Sequence, residues 1–183
     1  MKAPHANPAG DPAERLRRAI RDVPDFPRPG IVFKDLTPAL RDGPLLRELV
    51  DALAGPFATR EVTHVAAVEA RGFLLGGAVA ARLGAGLVPL RKPDKLPWRR
   101  ERITYELEYG SDALEVHADA LGPADRVLLV DDVLATGGTA RAAVDLVRVL
   151  GAPVVGAAFL VELAFLEGRR KLADLEIHSV LRL

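Results

Sequence analysis

The stretch that most narrows the folds open to this chain is Arg126–Ala142, RVLLVDDVLATGGTARA. Val127–Val130 is an unbroken apolar run, the pattern of a strand buried on both faces of a parallel sheet. Asp131 and Asp132 follow at once, and a period of two sends adjacent strand residues to opposite faces. Burying two carboxylates without partners is costly, so they belong at the open carboxyl end of the strand, where open α/β sheets bind ligands. Next come Ala135-Thr136-Gly137-Gly138-Thr139 and a helical run, Ala140 to Leu150. Glycines let the backbone turn tightly and approach a ligand, and a helix start offers unpaired N–H donors at a positive dipole end. Strand, acidic pair, Gly/Thr turn and helix make a cradle for a phosphate carried on a sugar. It is not a P-loop, since no Lys follows the glycines. Nor is it GxGxxG, in which the acidic residue lies downstream.

In this order the elements resemble the phosphoribosyl-pyrophosphate (PRPP) motif of type I phosphoribosyltransferases. A plain βα turn with a capping Thr could explain the GG pair alone, but not the whole run Val127–Thr139. The resemblance implies that Asp131 and Asp132 hold the ribose 2′- and 3′-hydroxyls. It gives the 5′-phosphate to Ala135, Thr136, Gly137, Gly138 and Thr139.

Composition bounds what else the chain can be. Its 183 residues suit one domain with a real core. A formal net charge of zero gives no global field for nucleic acid or an anionic membrane. The absence of Cys removes disulfides, thiolate metal sites and Cys nucleophiles. The four His (His5, His64, His117, His178) are scattered, which argues against a metal held by His ligands. No apolar run approaches the roughly 20 residues of a membrane span, and the first residues lack the apolar core of a signal peptide. A cytoplasmic protein is expected, with neither nucleic acid nor membrane as partner.

Along the chain, residues 1–10 are rich in Pro, Ala and Gly and are expected to be disordered, leaving 11–183 as a single domain. Asp11-Pro12 supplies an N-cap and a first-turn Pro for a helix running to Asp22. Pro24–Leu40 holds four prolines around a short strand at Ile31–Phe33, and proline content alone fits a surface connector. FPRPGIVFKD within it is similar, however, to the purine-recognition segment of adenine phosphoribosyltransferases. That similarity places Val32, Phe33 and Lys34 at the base, with Phe33 stacking and backbone groups reading the edge. Backbone N–H and C=O can pair with adenine's N1 and amino group but not with a 6-oxo purine.

Helical spacing marks Leu45–Phe57, a strand marks Val62–Val68, and Glu69-Ala70-Arg71-Gly72 leads into a small-residue helix, Phe73–Leu83. In the resembled family this turn binds pyrophosphate, giving Arg71 that role; a surface ion pair of Arg71 with Glu69 is the simpler alternative. After a strand at Gly86–Leu90 comes RKPDKLPWRRER, with six basic and two acidic residues and two prolines. Such stretches are usually solvated loops. The family has here a hood over the reactants, spanning about 91–112, in which Arg91, Lys92 and Lys95 contact pyrophosphate. Pro97-Trp98-Arg99-Arg100 departs from the Gly and smaller polar residues usual there. Arg102–Tyr109 alternates strictly and returns as Ala113–His117 after a turn at Gly110-Ser111-Asp112, an antiparallel pair. LEYG resembles the family's catalytic element, which makes Glu108 the group that handles the purine proton and puts Tyr109 near the site. Pro153–Leu163 reads as a strand, Phe165–Leu172 as a short helix and Glu176–Leu183 as an edge strand; VELAFLEGR is also similar to the family.

The expected fold is α/β, the type I phosphoribosyltransferase fold: a mostly parallel central sheet flanked by helices, with a small antiparallel hood. The resemblance implies transfer of the phosphoribosyl group from PRPP to adenine, giving AMP and pyrophosphate in purine salvage. Mg²⁺ would bridge the pyrophosphate and ribose oxygens, bound mainly through the substrate. Adenine and PRPP are then the small-molecule partners, and a homodimer is expected. The rivals are a 6-oxo-purine phosphoribosyltransferase, against which FPRPGIVFKD argues, and a non-catalytic PRPP-sensing regulator. Such regulators normally add a DNA-binding domain, for which the segment before Gly30 is too short and Pro-rich. A simple nucleotide-binding module would bind AMP without turnover.

Overall fold

The computed structural model describes residues 10–106 and 111–183. The expectations for residues 1–9, Glu108, Tyr109 and Gly110 lie outside the described residues.

At the centre are five parallel strands: β3 (His64–Val68), β4 (Gly86–Leu90), β7 (Val127–Leu134), β8 (Val154–Glu162) and β9 (Ile177–Arg182), in the order β4-β3-β7-β8-β9. Two antiparallel pairs stand apart from it: β1 (Arg21–Pro24) with β2 (Val32–Asp35), and β5 (Arg100–Glu106) with β6 (Ser111–His117). The helices are α1 (Pro12–Ala19), α2 (Thr37–Leu40), α3 (Gly43–Ala54), α4 (Arg71–Leu83) and α5 (Gly138–Val149).

The apolar run of β7 explains the layering. Val127 and Leu129 join a core with Leu90, Val116, Phe159 and the buried face of α5. Leu128 and Val130 join the opposite core, with Leu16, Leu49, Leu53, Leu75 and Val79 from α1, α3 and α4. Period two thus buries alternate residues in different cores, and helices cover both faces. The sheet is α/β and mostly parallel, with the antiparallel β5–β6 pair beside it, as the sequence pattern predicts.

Three local expectations need correction. The first helix stops at Ala19, because Ile20 is extended (ψ 132°) and the following residues pair with β2, Asp22 opposite Lys34. The strand with the acidic pair does not end at Val130. Its ladder with β8 runs on to Leu134 opposite Glu162, while its ladder with β3 stops at Val130. The expected helix Phe165–Leu172 is two 3₁₀ turns, Ala164–Leu166 and Gly168–Leu172, separated by Glu167 at φ 52°.

Chain order runs from β3 outward to β4 on one side and through β7, β8 and β9 on the other, so the sheet switches direction between β3 and β7. Open α/β sheets place their ligand crevice at such a point. Leu128 is fully buried in the core beneath it. Leu128→Ala is expected to lower unfolding free energy by about 2–5 kcal/mol in urea denaturation, with the midpoint shifted and the slope unchanged.

Candidate active site

Beyond Val130 the strand β7 has no ladder partner on the β3 side among the described residues, and a cavity of about 360 Å³ opens there. Its walls include Glu69, Arg71, Lys92, Asp131, Asp132 and the turn from Ala135 to Ala140. Asp131 settles against the start of α4, where a Cβ on Gly72 would lie 2.7 Å from its Oδ1. That oxygen accepts the Asp132 N–H at 2.9 Å. Withdrawal from solvent, and then the charge of Asp132, push the Asp131 carboxyl well above its ordinary range. Asp132, only 6% exposed, accepts a hydrogen bond from Arg71 Nε. The simpler alternative for Arg71, pairing with Glu69, is not what the fold does.

The turn after β7 is shaped by one conformation. Gly137 is left-handed (φ 77°) and caps α5, accepting the Arg141 N–H at 2.9 Å. A side chain there would be strained and would also strike the Gly168 carbonyl. Gly168 in turn lies so close to the Ala135 carbonyl that it has no room for a Cβ. The first N–H groups of α5 have no helical acceptor, and Gly138, Thr139 and Ala140 line the cavity. Anions are favoured at such an end. The brace beneath it comes from far along the chain: Glu162, at the end of β8, accepts from Arg169 Nε at 3.0 Å and from Ser179 Oγ at 2.9 Å. Sequence reasoning missed Glu162, Gly168 and Arg169 as supports, although VELAFLEGR contains all three.

On the other wall the basic segment is held by carboxylates. Lys92 donates to Asp112 and to Tyr105 Oη, the latter at 3.4 Å, and Thr139 Oγ1 donates to the same Tyr105 oxygen at 3.3 Å. Burial alone would lower the Lys92 ammonium, but the Asp112 and Tyr105 contacts hold it above its usual value. Arg91 and Lys95 do not face the cavity directly. Both donate to Glu69, Arg91 Nε at 3.2 Å, and the Lys92 N–H adds a bond at 3.0 Å. Sequence reasoning assigned no role to Asp112 or Tyr105.

A second cavity of about 330 Å³ adjoins the first and shares Arg71, Asp132, Val133 and Ala135 with it. Ile31, Val32, Phe33, Lys34 and Leu163 supply the rest of its wall. The Phe33 ring meets Phe26 edge-on, and the Arg71 guanidinium lies 5.2 Å from its centroid. Lys34 carries its ammonium to Asp22 at 2.7 Å. Because the β1–β2 ribbon has two strands, β2 has a ladder partner on one side only. Leu163 is a further wall residue that the sequence reading did not single out.

An acidic pair on a parallel strand, a Gly-rich helix start that favours anions and the cations Arg71 and Lys92 thus share one cavity. Residues 40–178 match the family model of the phosphoribosyl transferase domain, and the chain belongs to that family. Its relatives narrow the comparison. The chain is 54% identical over 167 residues to the adenine phosphoribosyltransferase of Nitrosococcus oceani, covering 91% of this chain and 98% of that one. It is 55% identical over 168 residues to that of Methylococcus capsulatus, covering 92% and 98%. Among solved structures, the adenine phosphoribosyltransferase of Rhodothermus marinus superposes with a TM-score of 0.90 at 53% identity, covering 94% of this chain and 98% of that one. The Saccharomyces cerevisiae enzyme, complexed with an imino-altritol bisphosphate and adenine, gives 0.87 at 40%, covering 92% and 98%. The fold is that of the type I phosphoribosyltransferases.

Gly168→Ala should press on the Ala135 carbonyl and displace the cradle, lowering phosphoribosyl transfer on the order of 10²-fold while far-UV circular dichroism stays unchanged. Asp131 holds its proton more tightly folded than unfolded, so its ionisation reduces stability as pH rises above the ordinary value of 3.8. Asp131→Asn, which keeps an oxygen for the Asp132 N–H, should therefore melt higher than the native protein at pH 7. The difference should close as pH falls towards 3.8.

Proposed function

We propose that this protein is an adenine phosphoribosyltransferase, transferring the 5-phosphoribosyl group from PRPP to adenine and releasing AMP and pyrophosphate in purine salvage. The observation that carries this reading is the meeting of the two cavities at Arg71 and Asp132. One is lined by carboxylates, cations and helix N–H groups, the other by Phe33 and aliphatic side chains. A phosphorylated sugar in the first and a flat apolar base in the second would present their reacting atoms to each other. A 6-oxo-purine transferase and a PRPP-sensing regulator are not favoured.

PRPP already carries its leaving group, so the protein's work is positioning and charge stabilisation. Ala135, Thr136, Gly137, Gly138 and Thr139 hold the 5′-phosphate, and Asp131 and Asp132 accept hydrogen bonds from the ribose hydroxyls. As the bond from C1 to the pyrophosphate oxygen breaks and the bond to the purine nitrogen forms, the sugar gains positive charge and the pyrophosphate negative charge. Arg71, Arg91, Lys92 and Lys95 stabilise the leaving group. Adenine stacks on Phe33 beside Val32, and the free edge of β2 near Lys34 reads its Watson–Crick side with N–H and C=O groups. Glu108, in LEYG, handles the purine proton.

Among the described residues no three His, Asp or Glu side chains converge to hold a metal. Asp131 and Asp132 line the cavity, and they would be the carboxylates available to Mg²⁺ brought in on substrate oxygens. When bound, the ion neutralises charge on the pyrophosphate. Residues 11–183 act as one catalytic domain, with 91–112 as its hood. By its likeness to the family we expect the protein to work as a homodimer in the cytoplasm. No helix among the described residues is long and apolar enough to cross a membrane.

The test is turnover with PRPP and Mg²⁺, offering adenine, hypoxanthine and guanine separately. AMP from adenine with little product from the other two is expected. Preferential use of an oxo-purine would overturn the base assignment, and PRPP binding with no product from any base would overturn the transferase reading.

A further inference from the structure

Glu69 occupies an unusual place for an acid in a site built to receive an anion. Its main-chain N–H is tied to the Leu90 carbonyl at 3.0 Å, fixing it where β3 ends beside β4. Its side chain is only 11% exposed and reaches back to the start of the hood. There it accepts three hydrogen bonds: from the Lys92 N–H, from Arg91 Nε and from Lys95 Nζ. Burial would raise its pKa, but the bonds from Lys95, the Lys92 N–H and Arg91 outweigh burial and hold the carboxyl at about 2. At any working pH it is an anion on the cavity wall.

The three bonds are not equivalent. The main-chain bond needs no side-chain movement and stays whatever fills the cavity. The other two come from long cationic stems, and Lys95 is 46% exposed. Lys95 can leave Glu69 for a stronger anion at the cost of one partly solvated ion pair, while Arg91 gives up its pair with Glu69 and its bond to the Lys95 carbonyl at 3.3 Å. Lys92 and Arg71 are likewise paired, with Asp112 and Asp132. Among the described residues, Glu69 differs in that it holds two of the four cations and keeps them off the cavity wall.

We propose that Glu69 is a positioning residue, the resident counter-anion of the pyrophosphate subsite. It parks Arg91 and Lys95 when the site is empty, yields them to pyrophosphate on binding, and takes them back to speed release. This rests on reading the cavity as the PRPP site. Glu69 therefore competes with the ligand, and removing its charge strengthens anion binding. A residue that merely braced the hood would have the opposite effect.

The probe is Mg²⁺-pyrophosphate, titrated calorimetrically into the full chain. Glu69→Gln should bind it about three- to tenfold more tightly, the scale expected of two partly exposed ion pairs. The KM for PRPP should fall, and the affinity for AMP should stay unchanged. In a Lys95→Met background the gain from Glu69→Gln should shrink, because part of the competition acts through Lys95. Unchanged or weaker pyrophosphate binding in Glu69→Gln overturns the proposal. Should that variant not fold, Glu69→Asp, which keeps the charge but retracts it from both cations, should also tighten binding, and failure to do so is equally decisive. If wild type makes AMP but Glu69→Gln binds pyrophosphate no better, only the role of Glu69 falls. If Glu69→Gln binds pyrophosphate better but wild type makes no AMP, only the transferase reading falls. Pyrophosphate binding to neither protein overturns both.

Discussion

The parting of β3 from β7 after Val130 is the constraint on which the polar part of this molecule depends. Up to Val130 the strand is enclosed by neighbours on both sides and by a helical layer on each face, and nothing charged fits there. From Asp131 onward β8 still satisfies one edge of the backbone while the other opens into a cavity. Strand geometry is thus kept exactly as long as needed to aim two adjacent carboxylates without leaving the main chain unpaired. Asp131 tucks against Gly72 and Asp132 reaches Arg71, so the start of α4 is shaped around the same opening. Because a strand is stiffer than a loop, the distance from the acidic pair to the cradle at Gly137 is set by the sheet. Placing functional groups on regular elements is what gives a site its precision.

Charge in the site is balanced locally rather than left open. Arg71 faces Asp132, Lys92 faces Asp112, and Arg91 and Lys95 face Glu69. Four cations close together would repel and splay into solvent if none had a partner, and they would then be poorly placed for any ligand. Internal carboxylates hold them in position at some cost to affinity. Paired charges near a surface interact at a high effective dielectric, so each exchange is shallow. On the role proposed for Glu69, a polyphosphate arriving with several charges competes for these cations better than a monoanion does. Such pairing would favour multivalent anions over single ones, a discrimination that a bare basic pocket would not provide.

Much of this was legible in the sequence because the signals were local. Val127–Val130 could be read as doubly buried from its unbroken apolar run, and the acid pair and Gly/Thr turn stood contiguous with it. Strict alternation marked β5 against β6 in the same way. What escaped the sequence was set by partners far along the chain. Nothing near Asp131 says that β8 will carry the ladder on to Leu134, and nothing near Arg21 says that it will face Asp35 instead of continuing a helix. The support of Gly137 by Gly168 links positions whose proximity only the folded sheet creates. Glu69 was visible only as a neighbour of Arg71. Its partners, Arg91 and Lys95, lie across a helix and a strand, and ion pairing carries no periodicity from which to read them.

The hood shows the same dependence on distant partners in its most buried form. Glu115 on β6 has no solvent exposure, yet its Oε2 accepts the Asp94 N–H at 3.0 Å and its Oε1 lies 3.1 Å from Arg100 Nε. Its main chain also pairs in both directions with that of Arg91, at 2.8 Å each way. A buried ion pair adds little net stability once desolvation is counted, so its value lies in what it specifies. Asp94 sits at φ 62°, a left-handed conformation uncommon for a non-glycine residue although Asp tolerates it better than most. The bond to Glu115 fixes that turn between Lys92 and Lys95. The stem of the basic loop is therefore fixed by a buried carboxylate, while Trp98 beyond it is 60% exposed. A loop anchored at its stem and solvated at its tip keeps its cations in register with the cavity without packing the tip into the core.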